Sequence, residues 1–304
     1  MDILTEIFLF LDQVQQVRLV SREYNQAILQ TPFFKRDYFV SGTYLEWLHF
    51  PEIHIGIFKY NLMEYLSKYR KLFQPIFILA CQMGKLDFVN WLLQDPGVDP
   101  NDNDAFQSAC ENGHLDVVNR LLQDPRVDPN DNDALRLACE NGHLDVVNRL
   151  LQDSRVDPND SCAFRWACRN GHIDVVNRLL QDIRVDPSDN YAFQWACENG
   201  HLDIVNRLLQ DSRVDPSASY AFRLACKNGH LDVVNRLLQD SRVDPSAGDN
   251  YAFRLACENG HLDVVNQLLQ DSRVDPSVHI LTIITDINKK GYHAIVNLLL
   301  KSLS

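Results

Sequence analysis

Apolar side chains recur with helical spacing, twice in every 29 residues, over most of the chain. In one such unit the apolar positions of 105–110 follow the i, i+3, i+4 pattern of a helix face. An Asn-Gly-His turn signal at 112–114 interrupts the pattern, and a second helical stripe follows over 115–122. Pro129 then ends any helical continuation. Each unit is therefore predicted to form a short helix, a tight turn, a longer helix and an extended loop.

The units are near-identical copies of one another. The phrase ACENGHLDVVNRLLQD occurs letter for letter at 109–124 and at 138–153. Near-copies begin at Ala167, Ala196, Ala225 and Ala256. Each predicted helix is shorter than the roughly 12–15 residues that an isolated helix needs in water, so its apolar stripe has to be buried against the next copy. The copies are expected to stack into a rod whose stability is a sum of interfaces between neighbours.

The copies occupy residues 75–279, and a degenerate eighth unit occupies 280–304. The seven copies begin near Pro75, Asp104, Asp133, Cys162, Tyr191, Tyr220 and Tyr251. The eighth unit keeps the second helix and carries additional lysines, as expected of a C-terminal cap. One step of the repeat is 31 residues instead of 29, and the additional residues fall within 246–250. Packed elements do not absorb an insertion, so that segment is expected to be a loop tip.

The recurring Ala-Cys-x-Asn-Gly-His-Leu-Asp-Val-Val-Asn-x-Leu-Leu resembles the core of ankyrin repeats. The resemblance covers about 75–304 and implies an all-α, curved ankyrin-repeat solenoid that binds proteins through its loop tips and first helices. The copies are shorter than the usual length of about 33 residues, and the Thr-Pro-Leu-His signature is absent, which implies shorter loops. The amino-acid sequence of the copies is also similar to that of ankyrin arrays encoded by giant viruses of amoebae.

Three columns near the start of each copy vary, while the stacking positions hardly change. The resemblance implies that the first helices line a concave face. Two of the columns are predicted to bind a partner protein, because Tyr and Arg dominate protein-binding hot spots. They are Gln107, Arg136, Arg165, Gln194, Arg223 and Arg254, and Tyr191, Tyr220 and Tyr251. The tyrosines are equally compatible with packed positions, and the Arg/Gln column with pairing to neighbouring acids.

The third column contains the large apolar residues Leu137, Trp166, Trp195, Leu224 and Leu255. Residues of this kind are mostly found inside proteins. In ankyrin repeats, moreover, this position usually belongs to the core. We therefore expect the third column to fill the stack rather than to meet a partner.

Residues 1–40 lack the repeated phrase and carry two amphipathic stripes of their own. Their order resembles an F-box, with Leu-Val-Ser-Arg at 19–22. Two features depart from the F-box pattern: the opening Leu-Pro is absent, and the segment from Leu11 to Val20 is about two residues short. An F-box would dock on the Skp adaptor of a cullin-RING ubiquitin ligase. The residues that match are Ile3, Leu4, Ile7, Phe8, Leu11, Val17, Leu19, Val20 and Tyr24. The alternative is a plain helical cap on the solenoid, and 41–74 are expected to form a packed helical connector.

The acidic excess lies in the repeats. The net charge is −12, while residues 1–74 are neutral, so a nucleic-acid partner is not expected. No stretch is apolar enough to span a membrane, and the first residues lack the features of a secretory signal. Seven of the eight cysteines occupy one column with no second column to pair with, which indicates reduced thiols. These features favour an intracellular, cytoplasmic protein, in the host cytoplasm if the source is viral.

The sequence offers little catalytic chemistry. Cys110 and His114 recur as a Cys-x3-His pair in six copies. Structural zinc needs four converging ligands, whereas here the cysteine would face the stack and the histidine a turn, so no metal or cofactor is expected. No unrepeated nucleophile has a matching base, and we expect no enzyme activity. The expected function is a monomeric adaptor that recruits a target protein to a Skp/cullin ubiquitin ligase; the alternative is a stand-alone ankyrin binding or scaffold module.

Overall fold

The computed structural model describes residues 73–101, 103–130, 133–159, 162–188, 190–217 and 219–302. The predictions for 1–40, and for the connector up to residue 72, lie outside the described residues. Within the described part the chain forms sixteen α-helices arranged as eight pairs, which confirms the all-α prediction.

The pairs are numbered in chain order, and the first helix of each pair carries the odd number. They are α1 (Phe73–Gln82) and α2 (Leu86–Leu92), α3 (Asn103–Glu111) and α4 (Leu115–Leu122), α5 (Ala134–Glu140) and α6 (Leu144–Leu151), α7 (Ala163–Asn170) and α8 (Ile173–Leu180), α9 (Asn190–Glu198) and α10 (Leu202–Leu209), α11 (Ser219–Asn228) and α12 (Leu231–Leu238), α13 (Ala247–Glu258) and α14 (Leu262–Leu268), and α15 (Ile280–Lys289) and α16 (His293–Ser302).

Helix α4 shows why these short segments are helical. It has an acid in its first turn and a base in its last, Asp116 and Arg120, as the helix dipole favours. Its inward stripe of Val117, Val118, Leu121 and Leu122 is buried. The predicted stripe of Leu115, Val118, Leu121 and Leu122 is confirmed at its last three positions, whereas Leu115 is half-buried and Val117 is buried in addition. The neighbouring pairs provide this burial.

The first helices of neighbouring pairs pack more closely than the second helices. The odd-numbered helices contact one another more closely than the even-numbered helices do. Their facing positions are small, since Ala109 and Cys110 and their counterparts in the other copies are almost wholly buried. Small side chains allow two helix backbones to approach, so the rod is shorter on this side. We call the surface formed by the odd-numbered helices the inner surface.

A histidine bridge joins each of the second to seventh pairs to the pair before it. The Nε2 atom of His143 lies 2.7 Å from the Glu111 carbonyl oxygen, and that of His172 lies 2.9 Å from the Glu140 carbonyl oxygen. A carbonyl oxygen only accepts, so Nε2 donates in each bridge. The same bridge is made by His114, His201, His230 and His261.

A second bridge joins the even-numbered helices. The Arg120 Nε atom donates to the Asn90 side-chain oxygen at 2.8 Å. The same bond is made by Arg149 to Asn119, Arg178 to Asn148 and Arg236 to Asn206. At the next position along the stack the arginine is replaced by Gln267, and the Asn235 side-chain oxygen is buried without a hydrogen-bond partner among the described residues.

The loops contribute a third bridge. Arg213 holds Asp211 with two hydrogen bonds, from Nε at 2.9 Å and Nη2 at 2.8 Å, and its Nη1 atom donates to the Val185 carbonyl oxygen of the preceding loop at 3.3 Å. Equivalent Asp–Arg pairs are Asp124–Arg126, Asp153–Arg155, Asp182–Arg184, Asp240–Arg242 and Asp271–Arg273. Every full copy is thus tied to its neighbour at the turn, along the helix or in the loop.

The insertion within 246–250 forms a left-handed turn at the start of α13. Gly248, Asp249 and Asn250 all have positive φ, so the segment is not regular helix despite lying within the bounds of α13. The Asn250 side chain is buried and accepts a hydrogen bond from the Asp275 backbone N–H at 3.2 Å. Earlier in the chain, Asn130 makes the equivalent bond to Asp157. The additional residues therefore return an asparagine to a position where Ser246 cannot provide one.

Candidate partner-binding surface

The Arg/Gln column lies along the inner surface. Its six members, Gln107, Arg136, Arg165, Gln194, Arg223 and Arg254, each follow a buried apolar residue of an odd-numbered helix. All six are half-buried. The tyrosine column lies at the start of the same helices, where Tyr191 and Tyr220 are more than half exposed and Tyr251 is half-buried.

The structure corrects the expectation for the third column. Leu224 is buried, but Leu137, Trp166, Trp195 and Leu255 are partly exposed. The two tryptophans face each other across neighbouring helices, with ring centroids 5.7 Å apart and planes tilted by 56°. The prediction that they fill the stack is therefore wrong. The buried alanine and cysteine in the first helix of each full copy already fill that space, which leaves the larger rings on the inner surface.

Arg169 covers both tryptophans. Its guanidinium carbon lies 4.8 Å from the Trp166 ring centroid and 5.4 Å from that of Trp195. Cation–π contacts of this kind favour a guanidinium over an indole face. Arg169 forms no ion pair with any carboxylate in the described part of the chain.

Arg136 ends this row on its N-terminal side. It lies 5.7 Å from the Trp166 ring centroid and also pairs with Asp133 at 3.0 Å and Glu140 at 2.6 Å. The hydrogen bond from Arg136 lowers the pKa of the Asp133 carboxyl, and in turn raises the pKa of Arg136. Arg136 is therefore held by its own helix as well as by the ring.

Tyr191 extends the row toward the loop tips. Its ring centroid lies 6.4 Å from that of Trp195, and Arg165 lies 5.3 Å from its ring centroid. We define the aromatic–arginine strip as Arg136, Arg165, Trp166, Arg169, Tyr191 and Trp195. It spans the first helices of three consecutive pairs, α5, α7 and α9.

A second, smaller group repeats the theme further along. Arg223 lies 5.2 Å and Arg254 4.5 Å from the Tyr251 ring centroid. Arg254 also lies 3.5 Å from a Glu258 carboxyl oxygen. In contrast, the residue of the Arg/Gln column on the odd-numbered helix before Tyr220 is Gln194. This column therefore offers no arginine to the Tyr220 ring from that helix.

The sequence pattern identified Arg136, Arg165 and Tyr191 but missed three members of the strip: Trp166, Arg169 and Trp195. One signal could have found Arg169. It occupies the column of Glu111, Glu140, Glu198 and Glu258, where a reversal of charge stands out.

The buried thiols and the turn histidines have structural roles. All eight cysteines are free thiols, and seven of them are buried. Burial raises the pKa of the Cys110 and Cys139 thiols, and that of Cys257 to about 12, so at neutral pH these thiols stay protonated and unreactive. Among the described residues no three His, Cys, Asp or Glu side chains converge as metal ligands would.

Comparison with protein families identifies the class of this chain. The family model for ankyrin repeats in three copies matches residues 77–162, 135–220, 193–279 and 222–303. These overlapping matches span most of the chain, which belongs to the ankyrin repeat family. The F-box-like residues 1–40 lie outside the matched region.

No curated protein matches the chain. Among the described helices, none has the length and apolar character needed to cross a bilayer. Ankyrin repeats are protein-binding modules, so a protein partner is the functional class that the fold supports.

Proposed function

We propose that this chain is an adaptor that holds a target protein on its inner surface, through the aromatic–arginine strip. The observation that carries the proposal is the row of rings and guanidinium groups on α5, α7 and α9, with Arg169 over both Trp166 and Trp195. Tryptophan, tyrosine and arginine supply most of the energy in protein interfaces. Two partly exposed indoles in contact with one guanidinium offer a rigid apolar platform with charge at its edge.

The strip is tested with variants taken from the chain itself. Leucine occupies the tryptophan column at Leu137, Leu224 and Leu255, so Trp166→Leu combined with Trp195→Leu keeps the fold and removes the platform. The matched control is Ile183→Ser, which removes a 96% exposed side chain from a loop where Ser154 and Ser212 stand in other copies. Cross-linking in a eukaryotic cell lysate followed by mass spectrometry compares the proteins bound by each variant.

We expect a set of proteins that the parent chain and Ile183→Ser both bind and that the double leucine variant loses. Identical sets for all three chains, with circular dichroism showing intact helices, would overturn the role of the strip.

We further propose that residues 1–40 dock on the Skp adaptor of a cullin-RING ubiquitin ligase, so that the held protein becomes its substrate. The proposal rests on the F-box-like order of Ile3, Leu4, Ile7, Phe8, Leu11, Val17, Leu19, Val20 and Tyr24. The alternative is a stand-alone ankyrin binding module in which these residues only cap the solenoid. We propose no enzyme activity and no cofactor for the chain.

Capture by purified Skp adaptor discriminates the two functions. The ubiquitin-ligase function predicts that the full chain is retained and that Ile7→Asp with Leu11→Asp abolishes retention, because a charge cannot replace an apolar docking contact without a large desolvation cost. The double leucine variant of the strip is the control and should be retained like the parent chain. Failure of the full chain to bind would leave the stand-alone module.

A further inference from the structure

The inner surface changes its charge along the stack. Its N-terminal part carries acids: Asp104, Glu111, Asp133 and Glu140. From α7 to α11 the basic residues Arg165, Arg169, Arg223 and Lys227 outnumber Glu198. The column that holds Glu111 and Glu140 switches to Arg169 and Lys227, which lie two pairs apart. A local basic region therefore lies within a chain of net charge −12.

The bases of this region are used differently from the others. The six loop arginines each hold an aspartate, and four arginines of the even-numbered helices hold an asparagine. By contrast, Arg169 and Arg223 lie on aromatic rings, and neither they nor Lys227 form an ion pair with a carboxylate in the part of the chain that the structure describes. Arg169 and Lys227 are also exposed. Their charges are available to carboxylates from outside.

We propose that α7, α9 and α11 bind an acidic peptide segment of the partner, with an aromatic or large apolar side chain seated on Trp166 and Trp195. The inference rests on the proposed function and adds the chemistry of the target. Carboxylates would pair with Arg169 and Lys227, while the apolar residue would contact the part of the tryptophan pair that Arg169 leaves uncovered. Complementary charge sets which partners associate, and the indole platform supplies affinity.

Single-stranded nucleic acid is the competing ligand, since it too combines negative charge with flat rings. The charge distribution favours a peptide. A nucleic-acid strand carries a phosphate at every step, and its backbone would pass Glu140 and Asp133 on one side and Glu258 on the other. A peptide places acids only opposite the basic residues and escapes this repulsion.

The test is selection of random peptides displayed on phage against the immobilised full chain, followed by fluorescence anisotropy of the labelled winners. The main variant is Arg169→Glu, which the fold accepts because Glu140 and Glu198 occupy the same column. Lys289→Glu makes the same change of charge at an exposed residue of α15 and is the matched control. A labelled oligouridine strand is measured in parallel.

We expect the selected peptides to combine several Asp or Glu with an aromatic or large apolar residue. Arg169→Glu should weaken their binding by about tenfold or more, added salt should weaken it further, and Lys289→Glu should leave it nearly unchanged. Winners without acids, indifference to Arg169→Glu, or tighter binding of oligouridine would overturn the inference. If acid-free winners still lose binding in the Trp166→Leu, Trp195→Leu chain, the proposed function stands and only the acidic partner is wrong.

Discussion

At the scale of single residues, Gly142 is required for two reasons: its backbone conformation and the close approach of a histidine from the next copy. Its φ of 75° is in the left-handed region, where a Cβ clashes with the backbone. A Cβ built on it would also lie 2.5 Å from Nδ1 of His172, the residue that bridges to the Glu140 carbonyl. The recurring Asn-Gly-His turn is therefore part of the contact between neighbouring copies as well as a bend within one copy.

At Gly291 only the first reason, the backbone conformation, applies. It has a similar φ of 82°, but a Cβ placed on it would meet no atom within 4 Å. Gly291→Ala is expected to cost the left-handed backbone alone, roughly 1–2 kcal/mol. Gly142→Ala should cost more, by about the 0.5–1.5 kcal/mol of a displaced hydrogen bond. Urea unfolding followed by circular dichroism measures both; equal losses would show that His172 moves aside freely.

The residue scale is also where prediction from the sequence failed. Spacing places Trp166 and Trp195 at equivalent positions of two short helices. A large apolar residue on a helix usually belongs to the core. Which side becomes the inner surface depends on how closely the odd-numbered helices approach, and that distance is set by the small Ala–Cys pairs of other copies. The burial of one column is therefore a property of the stack, and a single copy does not contain it.

At the scale of helices, the even-numbered row is held by arginine–asparagine bonds that end before the last full copy. Gln267 stands where the earlier helices have arginine, and the Asn235 side-chain oxygen is buried with no hydrogen-bond donor in the part of the chain that the structure describes. A buried acceptor with no donor costs about 1–3 kcal/mol. The interface between α12 and α14 is therefore expected to be weaker than the four interfaces at which the arginine–asparagine bond is made.

Gln267→Arg should repair this contact. Arg236 reaches Asn206 at 2.8 Å from the equivalent position, so the new side chain has a known geometry to adopt. We expect the free energy of unfolding to rise by about 1 kcal/mol, as measured by urea titration. The reciprocal change, Arg236→Gln, should lower it by a similar amount. A gain from Gln267→Arg that persists in an Asn235→Ala background would mean that the bond is not its cause.

Helix positions were the most predictable feature of this chain. The 29-residue period and the two stripes per copy located the pairs of the seven full copies, because identical segments with identical neighbours must fold alike. In the eighth unit only the second helix was predicted. The second helix of a copy was also expected to be the longer one, whereas α3 has nine residues and α4 has eight. The insertion was predicted less completely. A loop tip was expected within 246–250, whereas the structure has a left-handed turn that buries Asn250. That bond to Asp275 crosses to the next copy, and spacing alone does not reveal it.

At the scale of the whole molecule, the repeated Asp–Arg loops make stability depend on acid. Hydrogen bonds from Arg213 lower the pKa of Asp211 to about 2, and the pKa values of the other five loop aspartates are lowered by their own arginines. A carboxyl whose pKa is lower in the folded state stabilises the fold above its unfolded pKa of about 3.9. That contribution disappears as the pH falls through the folded pKa.

We therefore expect the free energy of unfolding to fall as the pH drops from about 5 toward 2, with a shallower fall in Asp211→Asn. The Asp211 side chain is 12% exposed and that of Arg213 is 43% exposed, so solvent partly screens this pair and a single pair contributes modestly. Asp232→Asn, which removes an exposed acid with no arginine partner in the described chain, is the control and should keep the parent slope. Equal slopes for all three chains would contradict a role for the loop pairs in acid unfolding.

The letter-for-letter identity of 109–124 and 138–153 has a genetic consequence. Deletion of residues 115–143 would join His114 to Leu144. The deletion restores the same local sequence and keeps the same bridges to the copies on either side. Unequal crossing-over in the coding sequence could thus lengthen or shorten the rod in whole steps without any new contact having to evolve. The number of copies, and with it the length of the inner surface, can then change without loss of the contacts that stabilise each copy.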